Sequence, residues 1–263
     1  MEETNIYELL AKAEEYRNPN LFTRLFYDKK YLLENAYTYY MQAINILIHI
    51  NKLTQVIEIY PVVIGILVDM DISGEQLALE YYKYANVIYQ IDKERSIKTY
   101  ECAIYCYEQS NNKDNNKDNN KDNIKEILLK IINIYDELKL YNDLINYLEK
   151  YTLDYYDNDL LIKLGDCYIK NDMINKAYDI YKNNYNKTKD KIVFLKYFLC
   201  NMILNLEKPS ELLYPPLEYF EEVLFIEQVL SGNLTNLKHD DIIVNILLNI
   251  IAHTNLKQNK HPY

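Results

Sequence analysis

Apolar side chains recur at helical spacing along almost the whole chain, in runs of several turns separated by short polar breaks. The runs come in pairs: 33–47 with 54–67, 75–89 with 96–107, 124–135 with 141–150, and 160–168 with 174–182. No segment alternates apolar and polar residues between turn signals, as a half-buried strand does. The pattern therefore predicts an all-α protein built from helix pairs.

The last of these pairs carries the spacing of a tetratricopeptide repeat (TPR). Leu164-Gly165-x-x-Tyr168 is followed, after a short turn, by Ala177-x-x-x-Tyr181. Small residues also recur where two helices must approach closely: Ala36, Ala43, Ala85, Ala103, Gly165 and Ala177. Since one pair alone cannot bury its apolar face, neighbouring pairs must stack. We therefore expect a TPR-like α-solenoid.

The pattern changes in two places. Residues 110–123 (SNNKDNNKDNNKDN) form a polar low-complexity repeat, which predicts a disordered insert between helices. After residue 190 come a broadly apolar helix at 191–206, a proline-containing loop, an acidic helix at 217–230 and a last helix at 240–251. We therefore predict a solenoid over residues 1–190 and a C-terminal helical bundle over residues 191–263.

Charge and hydropathy exclude some classes of protein. The formal net charge of −10 argues against a nucleic-acid-binding protein, which needs a basic footprint. No apolar run approaches the ~18–20 residues of a transmembrane helix. The first residues, MEETN, are acidic and unlike a secretory signal peptide, so a cytoplasmic location is expected.

Candidate catalytic chemistry is sparse. The cysteines, Cys102, Cys106, Cys167 and Cys200, lack zinc-site spacing and are expected to be buried reduced thiols. No metalloprotease, phosphate-loop or nucleophile-elbow motif occurs. An acid pair such as Glu221 and Glu222 is the alternative for an enzyme, but adjacent carboxylates on an exposed helix do not face one site. We expect no enzyme activity, no metal and no cofactor.

One apolar cluster lies in a connection between helical runs. Directly after Pro19 the sequence places Leu21, Phe22, Leu25 and Phe26, where water normally surrounds the chain. Two interpretations are open: these side chains contact a membrane, or they pack into the first helix pair. Burying two Phe and two Leu at the acyl boundary of a bilayer is worth several kcal/mol, at roughly 25 cal/mol per Å².

Six segments, in order along the chain, carry a resemblance to one protein family. They are YELLAKAEE at 7–15, NLFTRLF at 20–26, ENAYTYYMQAINIL at 34–47, LLIKLG at 160–165, FLKYFLC at 194–200 and DIIVNILLNII at 241–251. On these motifs the chain resembles the soluble NSF attachment proteins, the SNAP family, and more closely the alpha/beta type than the gamma type. The second segment falls where alpha-type members carry an F-F-x-x-L-F loop that touches the bilayer.

The resemblance implies an adaptor rather than a catalyst. Such a protein binds the four-helix bundle of SNARE proteins (syntaxin-type and others) and recruits the hexameric ATPase NSF, which disassembles the bundle. It is monomeric until it assembles on SNAREs. It lies peripherally on the cytosolic face of Golgi, endosomal or vacuolar membranes. The resemblance assigns membrane contact to Leu21, Phe22, Leu25 and Phe26.

The resemblance also names charged residues for each partner. SNARE bundles are acidic at the surface, so the concave face of the solenoid is expected to be basic. Lys163 and Lys196 match family lysines without gaps, and Lys125 is a third candidate; the alternative is that these are ordinary solvated lysines. The acidic residues that face NSF are not matched around 231–233, and Glu227, Asp240 and Asp241 are the candidates in another register.

Two departures from the family limit what the resemblance implies. A family arginine falls on Glu221, and the acidic tail ending in leucine is replaced by NLKQNKHPY at 255–263. SNARE disassembly is therefore better supported than stimulation of NSF turnover. The alternative function is that of a generic TPR-like scaffold, which binds a peptide in its groove without a membrane or an ATPase.

Overall fold

The structure is a computed structural model that describes residues 2–113, 120–155, 157–204, 220–231, 234 and 237–258. Thirteen α-helices occupy these residues, and no strand occurs among them. The helices are α1 (Glu2–Arg17), α2 (Leu21–Phe26), α3 (Lys29–His49), α4 (Leu53–Asp69), α5 (Glu75–Tyr89), α6 (Lys93–Lys113), α7 (Lys121–Glu137), α8 (Tyr141–Tyr155), α9 (Asn158–Lys170), α10 (Ile174–Thr188), α11 (Lys191–Ile203), α12 (Phe220–Leu230) and α13 (Ile242–Gln258). The predicted all-α class is confirmed.

Adjacent helices pack in pairs, as a helical repeat does. α3 packs on α4, α5 on α6, and α9 on α10. One type of turn recurs between helices: the N–H of Met173 donates to the carbonyl of Tyr168 at 2.8 Å, and Lys52 and Leu47 form the equivalent bond at 2.8 Å. The residue before each of these donors, Asp172 or Asn51, has a positive φ, which Asp and Asn tolerate better than most residues.

The chain divides into two compact units, Met1–Leu138 and Lys139–Tyr263. The first unit contains α1 to α7, and the second contains α8 to α13. The boundary predicted between residues 190 and 191 lies inside the second unit, at the start of α11, and stays a prediction.

The first unit has an apolar core with a buried carboxylate beside it. The core is formed mainly by α3 and α4, including Tyr40, Ile44, Leu47, Tyr60 and Val63. Glu80 of α5 is buried beside it, and its carboxylate accepts hydrogen bonds from the hydroxyls of Tyr37 (3.3 Å) and Tyr60 (3.1 Å). Lys83 pairs with the same carboxylate at 2.7 Å. A buried charge is tolerated only with such partners, so Glu80 fixes how α3, α4 and α5 pack.

Contacts between a helix and the next but one along the chain give the repeat length of the first unit in residues. Tyr37 of α3 meets Glu80 of α5 at a separation of 43 residues. Lys130 of α7 donates to Asn86 of α5 at a separation of 44. The period exceeds the 34 residues of a standard TPR, because α3 and α6 are each 21 residues long.

The second unit is built around α11. Every residue from Val193 to Asn201 is buried, so this helix is covered on all sides. α10 and α13 pack against it, and Tyr185 of α10 meets Phe194 with ring centroids 5.2 Å apart. This explains the broadly apolar pattern of the sequence after residue 190.

The small residues lie where the sequence predicted close helix contacts. The alanines singled out in the sequence, Ala36, Ala43, Ala85, Ala103 and Ala177, are all fully buried. Gly165 is buried as well. That part of the prediction is confirmed.

The predicted disordered insert is partly corrected. Ser110 to Lys113 belong to α6, and Lys121 to Asn123 belong to α7. Ser110 packs closely on Gly74 at this end of α6: a Cβ atom added to Gly74, which has φ +70, would lie 2.9 Å from the Ser110 hydroxyl. Residues 114–119 of the predicted insert lie outside the described residues.

Candidate functional site

The apolar cluster of the sequence is a short helix, α2, rather than an irregular connection. Asn20 caps its first turn, since the side-chain oxygen accepts from the Thr23 N–H at 2.9 Å and from the Thr23 hydroxyl at 3.0 Å. The helix ends at Tyr27, which has an extended backbone. The capping signal Asn-x-x-Thr is visible in the sequence, but a helix of this length gives no periodic pattern.

All four apolar side chains of α2 face solvent. Leu21 is 83% exposed, Phe22 73%, Leu25 76% and Phe26 72%. The two phenylalanine rings lie side by side, with centroids 5.7 Å apart. The interpretation that this cluster packs into the first helix pair is therefore wrong, and α2 presents a contiguous apolar surface. Exposed apolar surface of this kind is a candidate interaction site.

An open cleft of about 570 Å³ lies beside this surface, between α1, α2, α3 and the end of α4. Three basic residues line it: Arg17 at the end of α1, Arg24 in α2 and Lys29 at the start of α3. Asp69 is the acidic residue in its lining. Arg17 also pairs with Glu14 at 3.5 Å, whereas Arg24 and Lys29 form no salt bridge within the described ranges.

Lys196, predicted to bind SNAREs, is an internal residue of the second unit. Its side chain is 3% exposed, and its Nζ lies 2.9 Å from Asp166 Oδ1 and 3.0 Å from Asp241 Oδ2. The Tyr181 hydroxyl donates to the same Asp166 oxygen at 2.6 Å. These residues come from α9, α10, α11 and the start of α13, and together they form a buried ionic cluster. The binding role predicted for Lys196 is corrected to a structural one.

The two carboxylates of this cluster differ in their pKa. Burial raises the pKa of Asp166 above its ordinary value, against the opposing effect of the Lys196 charge. For Asp241 burial also opposes ionisation, but the hydrogen bond and charge of Lys196, with the backbone N–H groups of Val244 and Ile243, hold its pKa below the ordinary value. Asp241 is therefore the carboxylate of the cluster whose charged form the fold favours, and Asp166 is the one whose charged form burial disfavours.

The other two predicted lysines lie closer to the surface. Lys163 of α9 and Lys125 of α7 are both half-buried. Within the described residues, Lys163 has no salt bridge or hydrogen bond through its side chain. The two belong to different compact units.

Of the three acidic residues predicted to face NSF, two are exposed and one has partners inside the protein. Glu227 on α12 and Asp240 are exposed. Asp241 instead caps α13, where its Oδ1 accepts from the N–H groups of Ile243 (2.8 Å) and Val244 (3.1 Å). Because Asp241 also holds Lys196 at 3.0 Å, its side chain has an internal function, and the predicted contact with NSF stays a prediction for this residue.

The cysteines and the acid pair are the remaining candidates for chemistry. Cys106, Cys167 and Cys200 are buried as expected, but Cys102 is exposed, which corrects that prediction. In the part of the chain that the structure describes, no group of three or more His, Cys, Asp and Glu residues is placed to hold a metal ion. Glu222 lies 3.9 Å from Lys191, while Glu221 is exposed.

Comparison with known proteins adds no family: no family model and no curated protein matches the chain.

None of the described helices combines the length and the apolar character needed to cross a membrane.

Proposed function

We propose that this chain is an adaptor without enzyme activity. It docks on a membrane through α2, binds SNARE four-helix bundles and recruits the NSF ATPase to disassemble them. It acts on the cytosolic face of membranes and is monomeric until it assembles on its substrate. The proposal follows from the ordered resemblance to the SNAP family.

The observation that carries the proposal is the exposure of α2. Two Phe and two Leu side chains face water on a short capped helix, between two longer helices that are packed on each other. Leaving such side chains in water forgoes about 1.5–3 kcal/mol each compared with burial. A bilayer surface offers that burial to a small apolar helix. A membrane-bound adaptor has a use for this surface that an ordinary soluble scaffold lacks.

The SNARE-binding part of the proposal depends on the surface lysines. Lys163 has its charge unpaired within the described residues and is the strongest candidate for contact with an acidic bundle. Lys125 is the second candidate. Glu227 and Asp240 remain the candidates for contact with NSF, since both are exposed.

A pull-down with a recombinant SNARE four-helix bundle tests the proposal. The full chain is expected to be retained by the bundle, and addition of NSF with ATP is expected to release it as the bundle comes apart. NSF with a non-hydrolysable ATP analogue is the control and releases nothing. Failure of the chain to bind any SNARE bundle would remove the proposed function.

A second candidate function is that of a peptide-binding scaffold. A cleft of about 400 Å³ lies between α5, α6 and α7, lined among others by Asn86, Lys130 and Asn133. Amide and ammonium groups of this kind bind the backbone and carboxylates of a peptide. If this function is correct, charge reversal of Lys130 abolishes peptide capture. The parent chain then also shows no binding to vesicles through α2.

A further inference from the structure

The cleft beside α2 places basic groups next to the exposed apolar side chains. Arg24 lies within α2 itself, between Phe22 and Leu25, while Arg17 and Lys29 come from the helices on either side. A ligand that fills this cleft is therefore held next to whatever surface covers α2. An apolar surface bordered by cations fits an anionic lipid, which has an apolar and a charged end.

The charge of the cleft suits a phosphate group. Its lining carries three cations and one carboxylate, Asp69. Glu14 partly neutralises the charge of Arg17, with which it pairs at 3.5 Å. Glu14 also accepts a hydrogen bond from the Asn18 side chain at 2.9 Å. Arg24 and Lys29 form no salt bridge within the described ranges, so their charge is available. Arginine binds phosphate through two parallel hydrogen bonds, and lysine adds a point charge.

The size and lining of the cleft suit a headgroup larger than a bare phosphate. A volume of about 570 Å³ is in the range of small-molecule sites. Tyr16 and Tyr27 also line it, and they supply ring faces and hydroxyls that suit a sugar or polyol. A phosphorylated inositol ring has both features, and its monoester phosphates carry more charge than a diester.

From this juxtaposition we infer that the cleft formed by Arg17, Arg24 and Lys29 is a binding site for the phosphomonoester headgroup of a membrane lipid such as a phosphoinositide. The acyl chains of the same leaflet take up the side chains of α2. The inference rests on the proposed membrane docking and adds lipid selection to it. Membranes rich in such lipids then recruit the adaptor, and other membranes do not.

Two neighbouring lysines provide a matched pair of variants. Lys29 lines the cleft, whereas the next residue, Lys30, does not and points toward Glu34 at 3.9 Å. Lys29→Gln and Lys30→Gln remove the same charge one residue apart on an exposed helix start. Diffuse attraction to an anionic surface weakens equally in both variants, since it depends only on net charge. A site in the cleft weakens in the first alone.

The test is flotation of the full chain with three kinds of vesicle: phosphatidylcholine alone, with phosphatidylserine, and with phosphatidylinositol 4-phosphate, the last two matched in surface charge. The chain is expected to prefer the phosphoinositide vesicles, and Lys29→Gln to lower that binding by about tenfold or more, since it removes a charge-assisted hydrogen bond as well as diffuse attraction. Arg24→Gln/Lys29→Gln lowers it further, whereas Lys30→Gln loses only diffuse attraction and lowers it by about fivefold at most.

The outcomes separate this inference from the proposed function. Equal losses in Lys29→Gln and Lys30→Gln, or equal binding to the two anionic vesicles, overturn the headgroup site. If binding to phosphatidylcholine then persists and depends on Leu21 and Phe22, membrane docking stands without lipid selection. If the chain floats with none of the three vesicles, membrane docking falls and the headgroup site falls with it. Circular dichroism of each variant shows that the fold is retained.

Discussion

The ring of Tyr181 lies against the backbone of Gly165. A Cβ atom added at residue 165 would lie 2.7 Å from Cε1 of this tyrosine, well inside the closest contact that two carbons tolerate. The ring cannot move aside easily, because Tyr181 is fully buried and its hydroxyl is bound to Asp166. The glycine of the TPR-like signature is therefore a packing requirement between α9 and α10.

Gly165→Ala is expected to destabilise the second unit. Forcing a methyl group into a filled contact costs about 1–3 kcal/mol, which exceeds the helix propensity that alanine adds. Urea unfolding followed by circular dichroism measures the change. Gly65→Ala is the matched control, because a Cβ atom at that helical position meets nothing within 4 Å. The control is expected to gain about 0.5–1 kcal/mol. Equal effects at both sites would contradict the packing argument.

The buried ionic cluster gives a second prediction. Lys196→Met removes the cation that holds Asp166 and Asp241, and leaves two partly buried carboxylates facing each other. Breaking a buried pair costs about 3–5 kcal/mol. The lower end applies, since both carboxylates are about a quarter exposed. Thermal unfolding measures the loss. If the variant keeps its melting temperature but loses SNARE binding, the structural role is wrong and Lys196 binds the partner.

The same cluster gives a pH dependence with a definite sign. The folded-state pKa of Asp241 lies below its ordinary value, so its contribution to stability is complete above the unfolded pKa of about 3.9 and is lost as pH falls through the folded-state value. Asn caps a helix about as well as Asp. The stability difference between the parent chain and Asp241→Asn, measured in urea, is therefore expected to be larger at pH 7 than at pH 3.

Asp166 provides a control, because its contribution to stability changes with pH in the opposite direction. Its folded-state pKa is raised, so the stability linked to its protonation is present below the unfolded value and is lost as pH rises through the folded-state value. The parent chain therefore loses stability relative to Asp166→Asn as pH increases above about 4. The same slope for both variants would show that a general loss of charge, and not this cluster, sets the pH dependence.

The sequence predicts the helices well where apolar spacing and turn residues agree. The run at 75–89 coincides with α5, because Gly74 starts the helix with a backbone that most residues avoid. Helix ends are predicted less well. α6 extends from Lys93 to Lys113, beyond the predicted 96–107, since its polar ends carry no apolar signal.

Lys196 shows why part of the candidate site could not be predicted. The motif FLKYFLC places a lysine among large apolar residues, and that pattern alone suits both a surface lysine and a buried, paired one. The deciding residues are distant in sequence, since Asp166 lies 30 residues before Lys196. Arg17 was missed as a cleft residue for the same reason: the cleft exists only once α1, α2 and α3 are packed together.

A further prediction concerns Lys163, the strongest candidate for binding the SNARE bundle. Lys163→Glu is expected to weaken binding to an acidic SNARE bundle by tenfold or more. Replacing an attractive charge with a repulsive one costs about 1–2 kcal/mol or more of binding free energy. Its stability is expected to stay near that of the parent chain, since the side chain has no partner within the described residues. Lys182→Glu on α10 is a control of equal charge change on an exposed position. Equal binding by both variants would remove Lys163 from the proposed surface.

The last prediction concerns α2. Leu21→Ser/Phe22→Ser is expected to leave the melting temperature unchanged, because both side chains are exposed and contribute little to the core. Pull-down by soluble SNARE bundles is also expected to persist. Disassembly of SNARE bundles anchored in liposomes slows by about tenfold or more, since losing two membrane anchors lowers the local concentration of adaptor. Tyr105→Ser on α6, which removes another exposed large side chain, is the control. Equal slowing with soluble and anchored bundles would mean damaged packing, and no slowing with either would mean that α2 has no part in membrane docking.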